Sequence, residues 1–296
     1  MDTLSIPGAH TPPALAALSV LFGAAPKLRR DGAGPVEHWG SRGLIRKPPP
    51  LAQPTRAMQR ASGDRGNAPQ MINKIVQSMA EAMEGVKDGS TILIGGFGKV
   101  GQPDALIEAL IEQGATDLTC VCNNAGTGRE GLAKLMEPRR VRKIICSFPR
   151  STGSVVFEEL YKEGKIELEI VPQGTMAERM RAAGAGVPAF YTATSHGTLL
   201  ARGKEEREFG GKMYVMERAL HGDVALVEAW EGDRWGNLAY KDSGRNFNPV
   251  MATAATLTIA QVAYVRELGE IDPEKVHTPG LFVQRVIEFK RGAPWT

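Results

Sequence analysis

From Thr91 onward, short apolar runs alternate with segments whose apolar residues recur every three to four positions. A brief apolar run closed by glycine is the pattern of a buried strand, and the 3.6-residue period is that of a helix. Strands joined by helices form βαβ units, whose long crossovers require parallel pairing and cover both sheet faces. The expected fold is therefore α/β, a mainly parallel doubly wound sheet with helices on both faces. Spacing predicts helices over 71–86, 103–111, 155–162 and 177–183. Strands are expected over 91–97, 117–122, 142–148, 166–171, 214–217, 224–230, 237–241 and 256–262, with a polar turn at Asn123-Asn124-Ala125-Gly126.

The first seventy residues carry none of this pattern. Ten of the nineteen prolines lie before Met71, including Pro48-Pro49-Pro50. Proline removes a backbone donor and fixes φ, so this density opposes both helix and sheet. Residues 1–70 are expected to be a disordered Pro/Arg-rich extension that is dispensable for folding, ahead of one domain over 71–296. A targeting segment is the alternative, because the stretch is rich in arginine and poor in acids. Its apolar stretch at 14–25 is too short to span a bilayer, and no Lys or Arg precedes it.

The net charge of +3 divides into +5 over residues 1–70 and −2 over the rest. A nucleic-acid binder carries its basic excess as a patch on the folded part, so neither nucleic acid nor membrane is an expected partner. Three cysteines cannot make a disulfide scaffold in a chain of this size and suit a reducing, cytoplasmic compartment. Cys120 and Cys122 alternate onto one face of a strand and Cys146 lies mid-strand, which makes them core thiols; no metal site is expected.

Three motifs compete for the chemistry. The turn Gly95-Gly96-Phe97-Gly98-Lys99-Val100-Gly101 satisfies G-x-G-x-x-G between a strand and a helix, as a dinucleotide-binding dehydrogenase requires. Such a site also wants an acid at the end of the second strand, but that strand ends Cys120-Val121-Cys122-Asn123-Asn124. A glycine turn that only packs a helix on a sheet has the same sequence. Ala193-Thr194-Ser195-His196-Gly197 is one residue from the nucleophile elbow of acyl hydrolases, but Gly197 and Gly203 bracket a poor helix. Pro172-Gln173-Gly174-Thr175 follows a strand, at the end where open α/β sheets bind ligands. The Gln173 amide can donate to a developing oxyanion, or simply satisfy local carbonyls. Gly236-Asn237-Leu238 and Arg245-Asn246-Phe247-Asn248 are turn-like clusters to which composition assigns no chemistry.

Taken in order, several blocks resemble the family I CoA-transferases, specifically the A (α) chain of two-subunit 3-oxoacid CoA-transferases. The most diagnostic runs from Asp88-Gly89-Ser90 through Gly95-Gly96-Phe97-Gly98-Lys99-Val100-Gly101 to Gln102-Pro103. Asn123-Asn124-Ala125-Gly126, Cys146-Ser147-Phe148-Pro149-Arg150 and Val171-Pro172-Gln173-Gly174-Thr175 are similar to later blocks. Asp233-Arg234-Trp235-Gly236-Asn237, Arg245-Asn246-Phe247 and Thr278-Pro279-Gly280 continue the match. The resemblance covers 71–296 and none of 1–70. Phe148-Pro149-Arg150 and the block at Asp233 look most like the 3-oxoadipate enzymes of aromatic-acid catabolism, with the succinyl-CoA:acetoacetate enzymes close behind. Ser195-His196-Gly197-Thr198 departs from the pattern, since relatives commonly carry a glycine there.

The resemblance implies transfer of CoA from succinyl-CoA to a 3-oxo acid through a glutamyl-CoA thioester. The family's nucleophilic glutamate lies in a Glu-Asn-Gly motif of the B subunit, and that motif is absent from these 296 residues. The chain is thus expected to act only with a B (β) subunit, in an A2B2 heterotetramer. No tightly bound cofactor is implied; CoA thioesters and small acids are substrates. By resemblance Gln173 supplies an oxyanion-hole donor, and Asn123 and Asn124 hold the acid's carboxylate. Gly95, Gly96, Phe97, Gly98 and Gly101 form a turn against the pantetheine arm of CoA or the subunit interface. The rival classes are a self-sufficient dehydrogenase and a non-catalytic ligand-binding module.

Overall fold

The computed structural model describes residues 71–150 and 153–290. The expectations for residues 1–70 lie outside the described residues. In chain order the elements are α1 (Met79–Ala82), β1 (Thr91–Ile94), α2 (Asp104–Gln113), β2 (Leu118–Asn124), α3 (Leu132–Met136), β3 (Val141–Phe148), α4 (Val155–Lys162), β4 (Glu167–Ile170) and α5 (Gln173–Gly184). Then follow β5 (Ala189–Thr192), β6 (Glu206–Phe209), β7 (Lys212–Arg218), β8 (Gly222–Asp233), β9 (Leu238–Ala239), α6 (Asn248–Thr253), β10 (Ala255–Arg266) and β11 (Arg285–Glu288).

The main sheet runs β11-β10-β8-β1-β2-β3-β4, and every neighbouring pair in that order is parallel. β1 lies at the centre, with Ile92 opposite Cys120 on β2 and opposite Val224 on β8. Side-chain alternation divides the core into two layers. Ile92, Ile94, Cys120, Cys122, Ile144, Val224 and Leu226 pack with Leu106, Ile107 and Leu110 of α2, Leu135 of α3 and Phe157 of α4. Leu93, Val121, Ile145, Ala225 and Val227 face the other way, against Met176 and Met180 of α5 and Met251 of α6. Each fully buried aliphatic side chain contributes about 1.5–3 kcal/mol relative to exposure. Helices therefore cover both faces, as the alternation predicted. No helix among the described residues is long and apolar enough to cross a membrane.

Four local expectations need correction. The helix expected over 71–86 shrinks to α1, because Ile75 forms a parallel bridge to Val286 instead. Val76 N–H donates to Val286 O and Val286 N–H to Lys74 O, so this segment extends the sheet beside β11. The helix then starts at an N-cap: Ser78 Oγ accepts from Glu81 N–H, and Glu81 accepts from Gln77 N–H. The Ser-x-x-Glu spacing was a visible signal for that start. Asn123 and Asn124 are the last residues of β2 rather than a turn. The strand expected over 237–241 is only the two-residue β9, antiparallel to β8. Finally, β5, β6 and β7 leave the parallel sheet and form a separate antiparallel one in the order β5-β7-β6. β6 is exposed along its whole length and β7 alternates, with Val215 and Glu217 buried, the pattern of a sheet covered on one side.

Candidate active site

Alternation along β2 places Asn123 on the same sheet face as Val121, and alternation along β3 places Ser147 on the face of Ile145. That face carries α5, whose first residue is Gln173. Three polar side chains consequently converge at the carboxyl ends of two adjacent strands. Gln173 Nε2–H donates to Asn123 Oδ1 at 2.8 Å, and Ser147 Oγ lies 2.9 Å from the same Oδ1. Asn123 is buried, whereas Gln173 is exposed. Its amide is held from behind and open in front.

α5 begins at Gln173 itself, one turn earlier than the spacing suggested. Pro172 occupies the N-cap with no side-chain hydrogen bond, and the first helical bond is Met176 N–H to Pro172 O at 2.8 Å. The first-turn amides of such a helix point out of its end and carry partial positive charge. A side chain built on Gly174 would meet nothing within 4 Å, so this end is open to a ligand.

Asn124 behaves differently. It falls on the opposite face of β2, and its Oδ1 accepts from Gly126 N–H at 3.1 Å. Of the two asparagines, the structure brings only Asn123 to Gln173.

The glycine turn leaves β1, the strand beside β2, at the same edge of the sheet. Phe97 and Val100 exchange main-chain bonds of 2.9 and 3.2 Å, and both project apolar side chains into solvent. The base of the turn is fastened by two residues of the unassigned Arg245–Asn248 cluster. Asn246 Oδ1 accepts from Gly96 N–H at 3.2 Å while its Nδ2 donates to Val100 O at 3.0 Å. Asn248, fully buried, accepts from Glu228 N–H and donates to Gly101 O and Gly244 O. The approach is so close that a Cβ on Gly95 would stand 1.8 Å from Asn248 Oδ1, and one on Gly101 2.6 Å from Gly244 O. Asn246, Asn248 and Ser147 are the residues that sequence reasoning missed. Their signal was the asparagine pair flanking Phe247, which spacing alone could not connect to a loop some 150 positions away.

The second unassigned cluster is a corner. Buried Asp233 accepts from Trp235 N–H, Asn237 N–H and Asn237 Nδ2, and Asn237 Oδ1 accepts from Gly280 N–H. The three cysteines are core thiols: burial pushes Cys120 and Cys146 up to about 12 and raises Cys122 as well. Ser195 stands at φ 76°, a conformation glycine adopts freely, and only a short 3-10 turn at Leu199–Ala201 follows it. Its neighbour His196 turns Nδ1 toward Glu206 at 3.3 Å. The strand–serine–helix geometry of a nucleophile elbow is not formed.

Residues 76–288 match the sequence pattern of the coenzyme A transferase family. The chain is 59% identical over 223 residues to the A-type subunit of the 3-oxoadipate CoA-transferase of Pseudomonas putida, covering 75% of this chain and 96% of that one. It is 46% identical over 216 residues to the A-type subunit of the probable succinyl-CoA:3-ketoacid coenzyme A transferase of Bacillus subtilis, covering 73% and 90%. Among solved structures, the fold matches an acyl-CoA transferase apoenzyme from Escherichia coli O157:H7 with a TM-score of 0.65 at 22% identity, over 75% of this chain. The chain spans 49% of that protein's length. Glutaconate coenzyme A-transferase from Acidaminococcus fermentans matches with a TM-score of 0.64 at 22% identity, over 73% of this chain and 76% of that one.

Proposed function

Because this chain belongs to the coenzyme A transferase family, we propose that it is the A-type subunit of a succinyl-CoA:3-oxoacid CoA-transferase with 3-oxoadipate as acceptor. The supporting observation is the Asn123–Gln173 pair at the sheet's carboxyl edge. The chain lacks Glu-Asn-Gly, so the nucleophile comes from a B subunit, in a cytoplasmic A2B2 assembly.

The partner's glutamate carboxylate attacks the succinyl-CoA carbonyl, expelling CoA thiolate and leaving a mixed anhydride. The thiolate then attacks the glutamyl carbonyl, releasing succinate and forming the glutamyl-CoA thioester. The acceptor's carboxylate repeats these steps in reverse, so one acyl exchange is split into easier ones. CoA thioesters enter as substrates, and no tightly bound cofactor takes part.

This chain's part is electrostatic. One Gln173 amide hydrogen rests on Asn123 Oδ1, and the second faces the open side. It is placed to donate to the carbonyl oxygen as that oxygen gains negative charge. The first-turn amides of α5 and the Asn123 amide favour an acid's carboxylate beside it. The fastened glycine turn offers a fixed apolar tip, Phe97 and Val100, to the CoA arm or to the B subunit.

The test is co-expression with the B subunit, with succinyl-CoA-dependent product formation followed by absorbance, offering 3-oxoadipate and acetoacetate separately. Preference for 3-oxoadipate by the pair, with no turnover by the chain alone, is expected. Turnover by the isolated chain overturns the two-subunit reading, and preference for acetoacetate reassigns the acceptor.

A further inference from the structure

Ser147 holds none of the roles described above, yet it grips Asn123 from the adjacent strand β3. Its Oγ lies 2.9 Å from Asn123 Oδ1 and 3.0 Å from Asn123 main-chain O, bridging the two carbonyls of one residue. Asn123 stands near the end of β2, where the ladder to β3 closes at Asn124 opposite Phe148. The strand ladder fixes the backbone there but not the side chain, and an asparagine rotates about two torsions. Ser147 shares its single hydroxyl hydrogen between the main-chain O and Oδ1 in a three-centre bond, which ties the Asn123 side chain to its own backbone and limits that freedom. Asn123 Oδ1 is then delivered to the point where Gln173 Nε2 meets it at 2.8 Å.

We propose that Ser147 is a positioning residue for CoA transfer: by holding Asn123, it sets where the Gln173 amide presents its free hydrogen. The proposal rests on the reading of Gln173 as the oxyanion donor. An oxyanion donor acts through placement, and a small misplacement weakens the transition state far more than the ground state. Ser147 itself touches no reacting atom.

The experiment uses the full chain with its B subunit, measuring kcat and KM with succinyl-CoA and 3-oxoadipate, and melting temperature, on each preparation. Ser147→Ala is expected to lower kcat about tenfold, the loss of one hydrogen bond, with the succinyl-CoA KM nearly unchanged and the melting temperature lowered by only about 2–4 °C. Ser147→Thr, which keeps the hydroxyl, restores kcat to within about threefold. The decisive comparison is the double variant: with Asn123→Ala already in place there is nothing to position, so adding Ser147→Ala costs less than about twofold more. Unchanged kcat in Ser147→Ala, or the same tenfold loss in the Asn123→Ala background, overturns the proposal. Gln173→Ala run alongside separates the two levels. If it is slow while Ser147→Ala is normal, only the positioning role falls. If it turns over normally, the oxyanion assignment falls and takes this role with it.

Discussion

Gln173 and Asn123 stand fifty positions apart in sequence and meet through a single 2.8 Å bond, from the first residue of a helix to the penultimate residue of a strand. The bond fixes a donor without using it up, since a primary amide carries two hydrogens. Replacing Gln173 by Ala is expected to lower kcat by about 10²–10³. The melting temperature and the acyl-CoA KM should stay nearly unchanged, because Gln173 is exposed. Steady-state kinetics and thermal denaturation on one preparation check this.

Asn123 and Asn124 separate in a second measurement. A carboxylate in Asn123→Asp would face the acid substrate's own charge, raising its KM about tenfold or more while the acyl-CoA KM holds. Asn124→Ala removes only the acceptor for Gly126 N–H, so it should cost roughly 1 kcal/mol of stability and leave both KM values alone. Substrate titrations and chemical denaturation distinguish the pair.

The fastening of the glycine turn predicts a stability series. Asn248→Ala strands Glu228 N–H, Gly101 O and Gly244 O and is expected to cost about 3 kcal/mol. That corresponds to a fall of about 6–12 °C in melting temperature for a domain of this size. Gly95→Ala should cost at least about 3 kcal/mol, because its Cβ would push the buried Asn248 amide out of those three bonds. Gly98→Ala, at φ +62° with nothing within 4 Å, is expected to cost only about 1–2 kcal/mol of backbone strain.

The thiols set an alkaline limit. Cys120 and Cys146 rise from 9.0 to about 12 in the folded chain, so their contribution to stability is full below 9.0. Above it the unfolded chain loses those protons first, and stability declines until about 12. Urea unfolding at a series of pH values should show this decline, and Cys120→Ala should make it shallower. At pH 8 a thiol reagent should label none of the three cysteines in the native protein and all three in denaturant, since burial also blocks access.

The parallel sheet was legible because its central strands are buried on both faces and read as mostly apolar runs, as at Thr91–Ile94 and over 118–122. Gln173 was legible because it follows the alternating strand expected over 166–171, at the end where open α/β sheets bind ligands. The clustering of Gln173 with Ser147, and of the glycine turn with Asn246 and Asn248, was not. Each depends on which distant strands lie side by side, and β8 enters between β1 and β10 by a choice no local pattern records. The helix at 71–86 was misread for a related reason: four-residue spacing in a short segment suits an edge bridge as well as a helix, and Val286 decides between them. The antiparallel sheet was legible only as β7, expected over 214–217; its pairing with β5 and β6 was not, because β6 is polar and exposed along its whole length.

β1 is the centre of the sheet, yet one of its two neighbours is made long after it. Thr91 N–H donates to the Asp223 carboxylate across 132 positions, and Ile92 pairs with Val224 just beyond. At a ribosomal pace of about 5–20 residues per second, that partner trails β1 by on the order of ten seconds. Throughout that interval an apolar strand carries a bare row of amides and carbonyls along one side. The layout that lets the glycine turn meet Asn248 thus postpones completion of the core until the last third of the chain has emerged. Nascent chains stalled before Gly222 should therefore be the species most prone to aggregate and most in need of a chaperone.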